Sequence, residues 1–247
     1  MMSRRNKDLE NLQRLQKNGL IKDLSGLHYY YCDAHPLVIS FVSVVSMPLT
    51  LDVLADWLPE WRAERGEQEL LLLAYYGDND DLDELVKDDN PRVRAAVAFR
   101  RRAKDLDRLA YDSSPWVKGA VAIQRIDKYL DLLIDDFNWE VRSTVASFGR
   151  EKDLDVLVND KDDGVRYYVA WRGRNKDLDK LVFDQSEIVR QAVACVGRDK
   201  DLDILVNDKA PWVRRFVASH GRPQDLIKLA DDPSWAVQEM LQLGQNM

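Results

Sequence analysis

The sequence predicts an all-α fold, a solenoid of 24-residue repeats, each one α-helix plus one short helix. Three observations carry the all-α repeat prediction. From Asp81 onward the chain can be written as seven 24-residue units in unbroken register, starting at Asp81, Asp105, Tyr129, Asp153, Asp177, Asp201 and Asp225. In every unit leucine stands at positions 2 and 5, aspartate at 8 and valine at 13; the first six add valine at 17 and alanine at 18. These apolar positions recur at helical spacing and not at the period of two that a strand requires. A single unit offers about five inward apolar side chains, too few to offset its own chain entropy, so neighbours must share one continuous core.

The elements follow in chain order. Residues 1–25 read as an N-terminal cap helix, with Leu9, Leu12, Leu15 and Leu20 on one face and Arg4, Arg5, Lys7, Arg14 and Lys17 in solvent. Residues 26–80 read as two degenerate repeats. In YCDAHPLVISFV, Asp33, Pro36, Val38 and Val42 fall at positions 8, 11, 13 and 17, and the second copy carries a seven-residue insertion within DWLPEWRAERGEQ. Residues 81–247 are the seven regular repeats, the last acting as a C-terminal cap, because Gln238, Gln242 and Gln245 replace the arginine, alanine and glycine of earlier copies.

Within a regular unit, positions 11–20 form the longer helix. Pro91, Pro115 and Pro211 suit its first turn, and Asn90 and Ser114 can cap it. Gly149, Gly173, Gly197 and Gly221 at position 21 predict a left-handed exit; Arg101 and Arg125 stand there in the first two regular units and predict a different or strained exit. Positions 2, 5 and 6 fit a short helical turn, α or 3₁₀, which the aspartate at position 1 can cap. Alanine at 18 marks the closest approach of adjacent long helices.

The pattern DPxxxVRxxVAxxxxxxxxLLxxLAxD, carried by DDPSWAVQEMLQL and NDKAPWVRRFVASHGRPQDLIKLADD, resembles the leucine-rich repeat variant family, a relative of HEAT-like helical repeats. The resemblance covers 81–247 and, more weakly, 26–80. It implies units that pair an α-helix with a 3₁₀ helix and wind into a right-handed superhelical solenoid. Some members of that family hold an iron–sulfur cluster on N-terminal cysteines. Only Cys32 stands in that region here, so neither that cluster nor any other cofactor is expected. GRxxDLDxL departs from the family's common proline-rich turn.

Two basic columns face three acidic ones. Position 14 is Arg94, Lys118, Arg142, Arg166, Arg190 and Arg214, and position 22 is mostly arginine, against aspartates at positions 1, 3 and 8. Such a ladder reads as internal ion pairing that holds unit register; an exposed basic groove for phosphates is the competing reading. Net charge is −7, which weighs against a broad nucleic-acid-binding face.

Recognition is sought where the repeat does not dictate the residue. Positions 12, 15, 16, 19 and 20 turn aromatic and basic at Trp116, Phe148, Tyr167, Tyr168, Trp171, Arg172, Trp212, Arg215, Phe216 and His220. These suit a protein or peptide partner. No glycine-rich phosphate loop, GxSxG serine or metal-ligand spacing is present, and His28, Cys32, Asp33 and His35 match no metal site. The expected protein is a cytoplasmic, monomeric, non-enzymatic scaffold or adaptor. The alternatives are nucleic-acid binding and a HEAT-like DNA-repair enzyme. No membrane role is expected, because PLVISFVSVVSMPL at 36–49 is short and serine-broken.

Overall fold

The structure, a computed structural model, describes residues 65–245. The cap helix expected at 1–25, the unit at 26–49 and most of the stretched unit at 50–80 lie outside the described residues. Among the described residues every element is a helix. α1 (Arg65–Tyr76) and the start of α2 (Asn79–Leu85) belong to a first compact unit ending at Asp83; a second runs from Glu84 onward. The second alternates long and short helices: α3 (Pro91–Ala98), α4 (Ala103–Leu109), α5 (Pro115–Ile123), α6 (Asp127–Leu133), α7 (Trp139–Phe148), α8 (Glu151–Leu157), α9 (Asp163–Trp171), α10 (Asn175–Leu181), α11 (Glu187–Val196), α12 (Asp199–Leu205), α13 (Pro211–Ser219), α14 (Pro223–Leu229) and α15 (Trp235–Gln245). Each long helix packs on the next long helix, and each short helix from α4 to α12 packs between the long helices before and after it. This is an all-α repeat solenoid.

The repeated apolar positions are its core. Val117, Val141, Val165, Val189 and Val213 at position 13 are fully buried, as are Ala122, Ala146, Ala170 and Ala194 at position 18. Leu106, Leu130, Leu154 and Leu178 close the core from the short helices. The short helices are α-helices, where the family resemblance implies 3₁₀. They begin two residues before the unit boundary, which leaves room for α geometry. Leu106 N–H donates to the Arg102 carbonyl at 3.1 Å and Ala110 N–H to that of Leu106 at 2.9 Å, both four residues back; three-residue spacings appear only at the ends.

Helix ends differ from expectation at three places. Asn90 caps α3 by accepting from Arg92 N–H, whereas the Ser114 side chain makes no capping bond at α5. The Ser114 N–H instead donates to Asp112 at 2.8 Å, as the residue two beyond each position-8 aspartate does in all seven units. The position-1 aspartate is not the N-cap residue, because the early start of the short helix puts it third in that helix; at α8 Asp153 caps from that place, accepting the Arg150 N–H at 2.7 Å as in a capping box. The position-1 carboxylate receives the arginine at position 22, itself the N-cap residue. Gly173, Gly197 and Gly221 have φ of 69°, 75° and 66°, but Gly149 has φ −70°. Glycine is needed at 149 for space, since a Cβ there would lie 2.5 Å from the Val145 carbonyl oxygen. Arg101 and Arg125 adopt φ 58°, a left-handed conformation that costs a non-glycine residue about 1–2 kcal/mol.

The charged columns pair with one another. Nε of Arg94, Arg142, Arg166, Arg190 and Arg214 lies 2.6 or 2.7 Å from Asp112, Asp160, Asp184, Asp208 and Asp232, the position-8 aspartates of the next unit. Lys118 meets Asp136 at 2.5 Å. A second guanidinium nitrogen of each arginine completes a bidentate pair, and the third binds the position-8 carbonyl of its own unit. Each arginine therefore stitches two units together. Burial pushes the Asp112, Asp160 and Asp184 carboxyls up, but the guanidinium, the N–H two residues on and nearby positive charge outweigh it, so all three sit below the ordinary range. Asp232 is held low first by its bond to Arg214.

The position-22 arginines bridge likewise. Arg150, Arg174, Arg198 and Arg222 bind the following Asp153, Asp177, Asp201 and Asp225, and also reach Asp131, Asp155, Asp179 and Asp203 one short helix back. One unit departs from this, and both partners change together. Ile126 replaces the arginine and Tyr129 the aspartate, and the Tyr129 hydroxyl donates to Asp107 at 3.0 Å. In the final unit Gln238 keeps only the backbone half of the position-14 role, donating to the carbonyls of Ala230 and Asp232.

Candidate functional site

On a long helix, positions 13, 14, 17 and 18 turn toward the core and the ladder. Positions 12, 15, 16 and 19 then share the opposite stripe, with 20 at its flank. The ten sequence-selected residues all lie on this stripe or flank. Among them Trp212 is 42% exposed and His220 is exposed, while the other eight are half-buried.

Two aromatic clusters emerge. On α9, Tyr167 meets Tyr168 edge-on at 5.3 Å between ring centres, and Trp171 at 6.1 Å. The neighbouring tyrosines thus point to different sides of the stripe yet touch, and neither is fully buried. Burial, with Tyr167 beside it, pushes the Tyr168 phenol up to about 12. On α13, Trp212 packs edge-on against Trp235 of α15 at 6.1 Å, and the Arg215 guanidinium sits 5.4 Å over the Trp212 ring. Arg215 also reaches Glu239 at 3.8 Å.

Trp235 was not among the residues selected from sequence, although it is 70% exposed. It occupies position 11, where three units have proline and one has Trp139, and that variability was the available signal. Two selected residues have a different role. Arg172 donates to the carbonyls of Ala146, Ser147 and Gly149, and Nε2 of His220 lies 2.7 Å from the Ala194 carbonyl. Both cover the carboxyl end of the preceding long helix, α7 or α11. The structure therefore brings together Tyr167, Tyr168 and Trp171 in one place, and Trp212 and Arg215 in another. Trp116, Phe148 and Phe216 are half-buried on α5, α7 and α13.

Among the described residues no group of three or more His, Cys, Asp or Glu is arranged to hold a metal ion. No helix there is long and apolar enough to cross a membrane.

From Glu84 onward, then, the chain is a helical-repeat solenoid with two internal ion-pair ladders and an aromatic outer stripe. It is similar to a solved structure described as a leucine-rich repeat variant with a novel repetitive protein structural motif: 26% identity, 87% of this chain and 88% of that chain covered, TM-score 0.55. Weaker likenesses are human deoxyhypusine hydroxylase in complex with glycerol (16% identity, 86% and 98% covered, TM-score 0.31) and computationally designed armadillo repeat proteins for modular peptide recognition (14%, 72% and 98%, 0.26). No family model matches the sequence, and no curated protein matches it.

Proposed function

We propose that the chain is a non-enzymatic scaffold or adaptor that binds a protein or peptide partner along the outer stripe of its long helices, acting as a cytoplasmic monomer of the leucine-rich repeat variant kind. One observation carries this reading. Aromatic side chains gather incompletely buried at positions whose residues the repeat does not dictate: Tyr167, Tyr168 and Trp171 on α9, and Trp212 with Trp235 at the α13–α15 edge. Tyrosine and tryptophan offer large, stiff contact area at small entropic cost, which is what a binding surface rewards. The cap helix and two degenerate units expected at 1–80 belong to the same proposal, as does the reading of the Asp225 unit as a terminal cap, supported by Gln238 in place of the basic residue.

The nucleic-acid reading draws less support, because the arginine columns it would use are turned onto aspartates. The test is a peptide-library selection on the immobilised protein, followed by affinity measurement with Tyr168→Ala/Trp171→Ala and Trp212→Ala/Trp235→Ala variants. Selected peptides should lose about tenfold or more in affinity for at least one variant, as loss of an aromatic anchor implies. Equal binding to the parent and both variants would remove the case for the stripe. Retention on heparin at physiological salt would favour the nucleic-acid alternative.

A further inference from the structure

Two non-glycine residues among those described have positive φ, and both are exposed arginines at the same place in adjacent units, Arg101 and Arg125. They follow α3 and α5, where Gly173, Gly197 and Gly221 follow α9, α11 and α13. Glycine satisfies this backbone without strain, so the arginines are held there at the expense of the main chain. Packing does not explain them, since both are exposed. Internal pairing does not either: unlike the arginines at positions 14 and 22, neither guanidinium bonds to a carboxylate or carbonyl among the described residues. The helix dipole favours a cation at a carboxyl end, but it would do so equally after α9, α11 and α13, which have glycine.

α3 packs directly on α5, and packed helices lie about 8–10 Å apart. The backbones of the two arginines thus follow the carboxyl ends of neighbouring helices about one interhelix spacing apart. Carboxylates nearby are already engaged, Asp105 by Arg102 and Asp107 by Lys128 and Tyr129.

We propose that Arg101 and Arg125 are a carboxylate-recognition pair that receives a short acidic segment of the protein partner. Three residues of extended chain span about 10 Å, so acidic residues three apart would meet the two guanidinium groups, each able to bind a carboxylate bidentately. A nucleic acid would need the cationic track to continue, and the columns that could continue it are closed by aspartates. The inference rests on the protein-partner reading.

Fluorescence anisotropy at low salt tests it with labelled octaglutamate, with octaglutamine as control and a single-stranded DNA octamer as competitor. Octaglutamate should bind and octaglutamine should not. Arg101→Gly/Arg125→Gly should weaken binding about fivefold or more while raising the melting temperature, because glycine relieves the backbone. The Arg101→Asn/Arg125→Asn variant, which also tolerates left-handed backbone, should lose binding in the same way. Undiminished binding in both variants overturns the proposal, as does a fall in melting temperature of the glycine variant, which would make the arginines structural. Tighter binding of the DNA octamer than of octaglutamate overturns it in favour of a nucleic acid. Octaglutamate has no apolar side chain, so its binding should survive Trp212→Ala/Trp235→Ala; the arginine pair and the aromatic stripe therefore fail or stand separately.

Discussion

Replacing Arg166 with methionine tests the ladder where it is most enclosed. Arg166 and Asp184 are each 8% exposed. The guanidinium donates to both Asp184 oxygens, at 2.7 and 2.8 Å, and to the carbonyls of Asp160 and Lys161. Methionine fills a similar volume but strands the Asp184 carboxylate, which retains the Ser186 N–H, and orphans the Asp160 carbonyl. Breaking a buried pair from one side costs about 3–5 kcal/mol, which for a chain of this size lowers the melting temperature by roughly 10 °C. The control is Lys176→Met. Its pair with Asp155 is as short, 2.6 Å, but its members are 62% and 51% exposed, so its loss should cost below about 1 kcal/mol. Thermal melts and urea titrations followed by circular dichroism measure both. Equal shifts for the two variants would refute the argument that enclosure, not proximity, decides a rung's worth. Arg166→Met/Asp184→Leu should recover part of the loss, because the double change leaves no buried charge.

Further outcomes follow from the same geometry. Asp112, Asp160, Asp184 and Asp232 titrate below the ordinary carboxylate range when folded. Their stabilisation is therefore complete above the unfolded value of about 4 and is lost as pH falls through the lower folded values. The urea midpoint should drop in that acid window and drop less steeply in Arg166→Met; a midpoint that rises with acid would contradict this. Tyr129→Asp alone places an unpaired carboxylate at a site 3% exposed and should cost about 3 kcal/mol or more, whereas Ile126→Arg/Tyr129→Asp installs the usual pair and should recover most of it in a double-mutant cycle. Gly197→Ala should destabilise more than Gly221→Ala in parallel melts. Both need positive φ, but an added Cβ meets the His220 ring at 2.3 Å in the first and nothing within 4 Å in the second.

The sequence by itself determined the unit, its register and its core. Each apolar column recurs because every unit meets the same neighbour, so Val165 and Leu154 could be assigned to the interior from spacing alone, and both are fully buried. Position 8 was readable as important, though its double duty was not. Only the folded stack shows Asp184 accepting the local Ser186 N–H while holding Arg166 of the unit before it. The periodic pattern also left open where the short helix begins, because two residues of freedom at its start decide between a 3₁₀ turn and an α-helix without moving any leucine. The candidate surface divided along the same line. The aromatic content of the stripe was visible in sequence, but Arg172 and His220 proved to cover the carboxyl ends of neighbouring helices, and Trp235 joined Trp212 unannounced. Contacts between units depend on side-chain reach across a distance that a one-dimensional period does not encode. Tertiary structure alone decided which charges were spent internally and which, at Arg101 and Arg125, were left facing solvent.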